Sequence, residues 1–119
     1  MSRILVVDDE PDMRYLLRRI FERAGHEVID AAHGTAALQA VRVSGPDLVV
    51  TDMMMPVMGG AELIRRLRGD PGTARIPILA ATGDAHLACD ADAVLSKPFR
   101  PAELLAAAKV LLAQKADHE

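Results

Sequence analysis

Asp8 and Asp9 stand side by side at the end of the chain's first apolar run, Ile4 to Val7. A third carboxylate, Asp52, follows the run Leu48 to Val50. Thr82 follows a run that closes at Ala81, and Lys97 lies just beyond Ser96, after the run Ala93 to Leu95. Three carboxylates brought to one place repel one another strongly unless a cation joins them. Oxygen ligands with no His or Cys among them suit a hard ion such as Mg²⁺, which takes one or two carboxylates and keeps several waters. A cation, a lysine and a hydroxyl around one carboxylate meet the needs of phosphoryl transfer. Cation and ammonium offset charge on the transferring oxygens, the hydroxyl donates to one of them, and the carboxylate attacks. Taken singly, each residue has a plainer reading. Asp8 and Asp9 can cap a helix opened by Pro11. Asp52 can be a turn residue, Thr82 before Gly83 a way out of a strand, and Lys97-Pro98 a loop. Only their combination argues for a site.

These groups meet only if the elements that carry them end at one edge. Short apolar runs alternate with stretches of helical period along the whole chain. Ile4 to Val7 reads as a strand buried on both faces. Met13, Leu16, Leu17, Ile20, Phe21 and Ala24 share one helix face, opened by Pro11 and closed by Gly25. His26 to Ala31 is a second strand, Gly34 to Ser44 an Ala-rich helix closed by Gly45, and Leu48 to Val50 a third strand. Gly60 to Arg68 is a helix, Ile76 to Ala81 a strand with Pro77 near its start, Ala93 to Leu95 a fifth strand, and Pro101 to Leu112 the last helix. The alternation predicts an α/β fold, a doubly wound five-stranded parallel sheet covered on both faces, with functional groups at the carboxyl ends of the strands.

The 119 residues fit a single domain spanning 1–119, with a core over about 3–113 and a polar end frayed after Ala113. Half of the residues are hydrophobic and 26% are charged, which excludes disordered and collagenous classes. Tyr15, Phe21 and Phe99 are the only Phe, Tyr or Trp residues, so stacking on bases is not available, and a net charge of −3 argues against non-specific nucleic-acid binding. One cysteine, Cys89, reads as a packed or idle thiol and asks for no oxidising compartment. No apolar run approaches the roughly 20 residues of a membrane span, and Ile4 to Val7 is too short for a signal peptide, so the expected setting is the cytoplasm. Met53, Met54, Met55 and Met58 read as packing around the site loop, since thioether sulfur does not match a carboxylate-rich ion site. His26, His33, His86 and His118 read as structural or solvated.

Val-Asp-Asp-Glu-Pro at 7–11, Asp52 followed by Met-Met-Met-Pro-Val-Met-Gly-Gly, Ala-Thr at 81–82 and Ser-Lys-Pro-Phe at 96–99 make the sequence resemble the receiver domain of bacterial two-component response regulators. The resemblance covers essentially the whole chain. It implies a flavodoxin-like receiver fold in which Asp52 accepts a phosphoryl group from a histidine kinase or a histidine phosphotransfer protein. It further implies that Asp9 ligates Mg²⁺ directly and Asp8 mainly through water, with Asp52 and the backbone carbonyl of Met54 completing the protein ligands. Lys97 would pair with phosphoryl oxygens, its peptide bond to Pro98 cis, and Thr82 would move to hydrogen-bond the phosphoryl group. Met54 and Asp84 fall where they can gate the attacking water.

Two departures bear on output. Receiver domains usually carry Tyr or Phe three residues before the lysine, and here that residue is Val94, so the usual joint movement of hydroxyl and ring is not available. Thr82 and Lys97 lie 15 residues apart. That is about seven fewer than usual in the family, or roughly two helical turns. The missing length falls on the fourth helix of the family, so the interval Asp84 to Asp92 is expected to be abbreviated or disordered. Ala-Thr-Gly at 81–83 resembles a receiver subfamily with a mobile segment there, although Ile78 and Ala80 replace the aromatic residues of its motif. Phosphorylation adds about −1.5 to −2 charge and is expected to bias this segment through Thr82 and Lys97.

The expectation is a stand-alone receiver with no output module after the last helix, or else a domain excised from a longer protein, that signals through contacts with an unidentified downstream protein or acts as a phosphate relay or sink, without direct nucleic-acid binding or membrane insertion. The alternatives are a non-phosphorylated adaptor with the same fold, or an aspartate-nucleophile phosphatase. The second suffers from adjacent rather than alternating acids on the first strand and from a lack of residues for a substrate-selecting cap. A dinucleotide-binding module is excluded by the absence of Gly-x-Gly-x-x-Gly after the first strand.

Overall fold

The computed structural model describes residues 1–87 and 90–117. In chain order its elements are β1 (Arg3–Val7), α1 (Pro11–Arg23), β2 (Glu27–Ala31), α2 (Gly34–Ser44), β3 (Leu48–Thr51), α3 (Gly60–Arg68), β4 (Ile78–Thr82), a 3-10 turn (Ala85–Leu87), β5 (Ala93–Ser96) and α4 (Pro101–Asp117). The five strands pair in parallel in the order β2-β1-β3-β4-β5. This is the doubly wound α/β sheet that the alternation predicts.

Strand residues alternate between two cores because successive side chains point to opposite faces. Leu5, Val7, Val49, Ile78 and Ala80 pack with Ala37 and Val41 of α2 and with Leu63, Ile64 and Leu67 of α3. Ile4, Val6, Val50, Leu79 and Ala81 pack with Leu17, Ile20 and Phe21 of α1 and with Leu104, Ala108 and Leu111 of α4. Burial on both sides explains why the central strands read as continuous apolar runs. Gly45 ends α2 in the left-handed region at φ 56°, where a side chain would be strained.

Several boundaries differ from expectation. The fourth strand begins at Ile78, not Ile76, because Pro77 has no N–H to give the ladder; its carbonyl still accepts from Val49 N–H at 3.0 Å. The strands β3, β4 and β5 each run one residue further, to Thr51, Thr82 and Ser96. The last helix continues to Asp117 instead of fraying after Ala113, since Ala, Gln and Lys favour helix and neither Gly nor Pro interrupts them. It starts with Pro101 in its first turn, where Glu103 accepts from the Arg100 N–H at 2.9 Å in a capping-box arrangement.

Among the described residues between β4 and β5, the single 3-10 turn is the only helical element, as the short spacing predicts. Cys89 and His118 lie outside the described residues. Val94, in register with Ala80 of the α2/α3 core, points to that side of the sheet and is 42% exposed.

Candidate functional site

The strand order reverses between β1 and β3, and a crevice opens at the carboxyl ends of strands at such a point. Val7 pairs with Thr51 in register, so the residues that follow them, Asp8 and Asp52, emerge side by side. The Asp52 N–H donates to the Val7 carbonyl at 3.0 Å, and the Asp8 N–H to the Ala31 carbonyl at 3.2 Å. Among the described residues the buried polar or charged ones are Asp8, Thr51, Asp52 and Thr82, all at this edge. Burying such groups is costly unless they are partnered.

The partners are specific. Lys97 Nζ donates to Asp8 Oδ2 at 3.0 Å and lies 3.5 Å from Asp52 Oδ2. Burial works against the charge on Lys97, but its hydrogen bond to Asp8 and the fields of Asp8 and Asp52 outweigh that cost, and the ammonium is held above its ordinary range. Asp52 Oδ1 accepts from the Met53 N–H at 2.7 Å and the Met54 N–H at 3.4 Å, which leaves Oδ2 turned toward the lysine. Asp8 Oδ1 accepts from the Glu10 N–H at 2.9 Å. Asp8 and Asp9 are therefore not simple helix caps: the N-cap of α1 is Glu10, without a side-chain cap bond.

Carboxylate oxygens of Asp8, Asp9 and Asp52 lie within 4.8 Å of one another. Three carboxylates against one ammonium leave two negative charges in a largely buried cluster of oxygen donors. That donor set fits a hard divalent cation, with the exposed Asp9 at its mouth. Thr82 is fully buried; its hydroxyl accepts from the Asp84 N–H at 3.2 Å, and its carbonyl accepts from the Lys97 N–H at 2.9 Å. The Lys97-Pro98 peptide bond is cis.

The methionines divide. Met53 and Met58 are buried in the α2/α3 core and Met55 packs against it, but the Met54 side chain is 63% exposed and so does not pack around the loop as its neighbours do. A residue two beyond a strand-end carboxylate points out of the turn here, and apolar composition alone does not reveal that. His33 accepts from the Ala36 N–H at 3.2 Å as the N-cap of α2, and His26 Nδ1 accepts from the Ser2 N–H at 3.2 Å; both are structural.

Two residues of the site escape a reading of the sequence. Gly60 gives its N–H to the Met53 carbonyl at 3.0 Å, and a Cβ there would come 2.5 Å from the Asp52 carbonyl oxygen. The paired glycines at 59 and 60 are the available signal. Thr51 donates its hydroxyl to that same Asp52 carbonyl at 2.8 Å, with no signal in spacing.

The family model for the response regulator receiver domain matches residues 4–109. The chain belongs to the response regulator receiver family. It is 37% identical to the DNA-binding response regulator MtrA of Mycolicibacterium smegmatis over 98% of this chain and 53% of that protein. It is also 37% identical to the phosphate regulon transcriptional regulatory protein PhoB of Pseudomonas aeruginosa, over 92% of this chain and 51% of that protein. This receiver chain thus spans about half the length of the curated relatives it matches. Among solved structures it resembles the response regulator TrrA of Thermotoga maritima in complex with Mg(2+)-BeF, with a TM-score of 0.86, 34% identity and coverage of 93% and 99% of the two chains. A receiver domain from Clostridium thermocellum matches over 100% of both chains with a TM-score of 0.92 at 26% identity. No helix among the described residues is long and apolar enough to cross a membrane.

Proposed function

We propose that this receiver domain accepts a phosphoryl group on Asp52 Oδ2 from a phosphohistidine of a histidine kinase or histidine phosphotransfer protein. The observation that carries this reading is the clustering of buried Asp52 with Asp8, Asp9 and Lys97 where the strand order reverses. As the Asp52 oxygen bonds to phosphorus, the P–N bond to the imidazole breaks, and the leaving nitrogen retains the electron pair and takes up a proton. Lys97 offsets charge on the phosphoryl oxygens, and Thr82 turns its hydroxyl from the Asp84 N–H toward one of them. Asp9, Asp52 and the Met54 carbonyl would hold Mg²⁺, with Asp8 acting through water, and the bound ion offsets charge on the transferring oxygens. A Mg²⁺ complex of a similar receiver supports this assignment. Met54 and Asp84 flank the approach of the hydrolytic water.

The chain catalyses nothing beyond phosphorylation and dephosphorylation of its own Asp52. It acts in the cytoplasm through protein contacts that change when the added charge biases the segment between Thr82 and Lys97. The DNA binding named for MtrA belongs to a protein about twice this length. Intact mass after incubation with a small-molecule phosphodonor tests the proposal. One added phosphate that requires Mg²⁺ and disappears in Asp52→Ala is expected. A folded protein that gains no phosphate from that donor or from a phosphohistidine donor points instead to the adaptor, the reading that exposed Val94 in place of the usual aromatic favours.

A further inference from the structure

The chain has only Asp8, Asp9 and Glu10 between the end of β1 and the start of α1, and the two acids of the candidate cation site sit in that turn. Their placement depends on the peptide that joins them. The Asp8 N–H is held by the Ala31 carbonyl, and the Asp8 side chain is held by Glu10 N–H and Lys97. The remaining group is the Asp8 carbonyl, and it accepts from Arg14 Nη1 at 2.8 Å. Arg14 lies in the first turns of α1 and reaches back over the turn. Its Nε faces Asp30 Oδ2 at 4.0 Å, and Asp30 also accepts from Arg18 Nη1 at 3.3 Å. With its one side-chain hydrogen bond given to the Asp8 carbonyl and Asp30 facing it at ion-pair distance, the planar guanidinium fork is placed as a strut across the turn.

Resting on the Mg²⁺ reading of the site, the geometry points to Arg14 as a positioning residue that fixes the Asp8–Asp9 peptide so that both carboxylates reach one cation. Rotation of that peptide would carry Asp9 away from Asp8 and Asp52, because the Asp9 nitrogen is part of it. The charge on Arg14 works the other way: a positive group beside a cation site repels the cation. Removing Arg14 therefore tightens Mg²⁺ binding if only its charge matters and weakens it if the strut matters.

The test is a Mg²⁺ titration of the full ¹⁵N-labelled chain, followed by amide shifts at Asp8, Asp9 and Asp52, well below the thermal midpoint of each variant. Arg14→Met keeps the alkyl stem and loses the donors. Its affinity for Mg²⁺ is expected to fall about tenfold, as for other groups that orient metal ligands. Arg14→Lys, which keeps one cationic donor, is expected to recover part of the loss. If Arg14→Met does not fold, Arg14→Gln, too short to reach the Asp8 carbonyl, takes its place with the same expectation. Unchanged or tighter affinity in the folded variant, with only the thermal midpoint lowered, overturns the inference and leaves Arg14 a structural residue. A wild type with no saturable shift at the three aspartates overturns the cation site itself and this inference with it.

Discussion

Lys97 is held between Asp8 and Asp52, and its raised proton affinity ties the stability of the metal-free protein to pH. A lysine whose value in the fold exceeds its unfolded value, ordinarily 10.5, contributes stability that is fully present below that value and is lost as pH climbs through the folded one. Urea midpoints of wild type are therefore expected to fall above pH 10.5 more steeply than those of Lys97→Met. Parallel curves for the two proteins would remove the ion pair from the account. A second residue carries strain instead of charge. Val57 has φ 69° and is fully exposed, at the centre of a γ-turn closed by the Met58 N–H and the Pro56 carbonyl at 2.8 Å. A β-branched residue is poorly suited to positive φ, and this form of the turn is the rare one. Val57→Gly is expected to raise stability by about 1 kcal/mol in urea denaturation.

At the scale of elements, the site depends on how closely α3 approaches the end of β3. A Cβ on Gly60 would meet the Asp52 carbonyl, the Met53 sulfur and Met53 Cα, and backbone atoms cannot move aside cheaply. Gly60→Ala is expected to cost about 2 kcal/mol of stability and to displace Asp52. A guanidinium-chloride midpoint with an NMR amide map measures both effects, and an unchanged midpoint would contradict the packing described. This approach also marks the limit of what the sequence reveals. Asp8, Asp9, Asp52, Thr82 and Lys97 are legible because each stands just past an apolar run that is itself legible. The shortened segment before β5 is legible from spacing alone. Arg14, Thr51 and Gly60 are not, because each acts on a backbone carbonyl that comes within reach only when the sheet register and the helix approach are in place. The extension of α4 to Asp117 is masked by the polar composition after Ala113, although helix-favouring residues continue there and no breaker follows.

Two apolar cores lie on opposite faces of one sheet, and the buried polar residues among those described gather at a single edge. That arrangement brings residues from four stretches of chain to one cluster and faces Asp52 Oδ2 toward Lys97. The most direct test of the account is where the phosphoryl group goes. After phosphorylation in the presence of Mg²⁺, borohydride reduces an aspartyl phosphate to homoserine, which peptide mass mapping locates. Homoserine is expected at position 52 and nowhere else. Conversion at Asp8 or Asp9, or phosphate on a residue that borohydride leaves untouched, would contradict it.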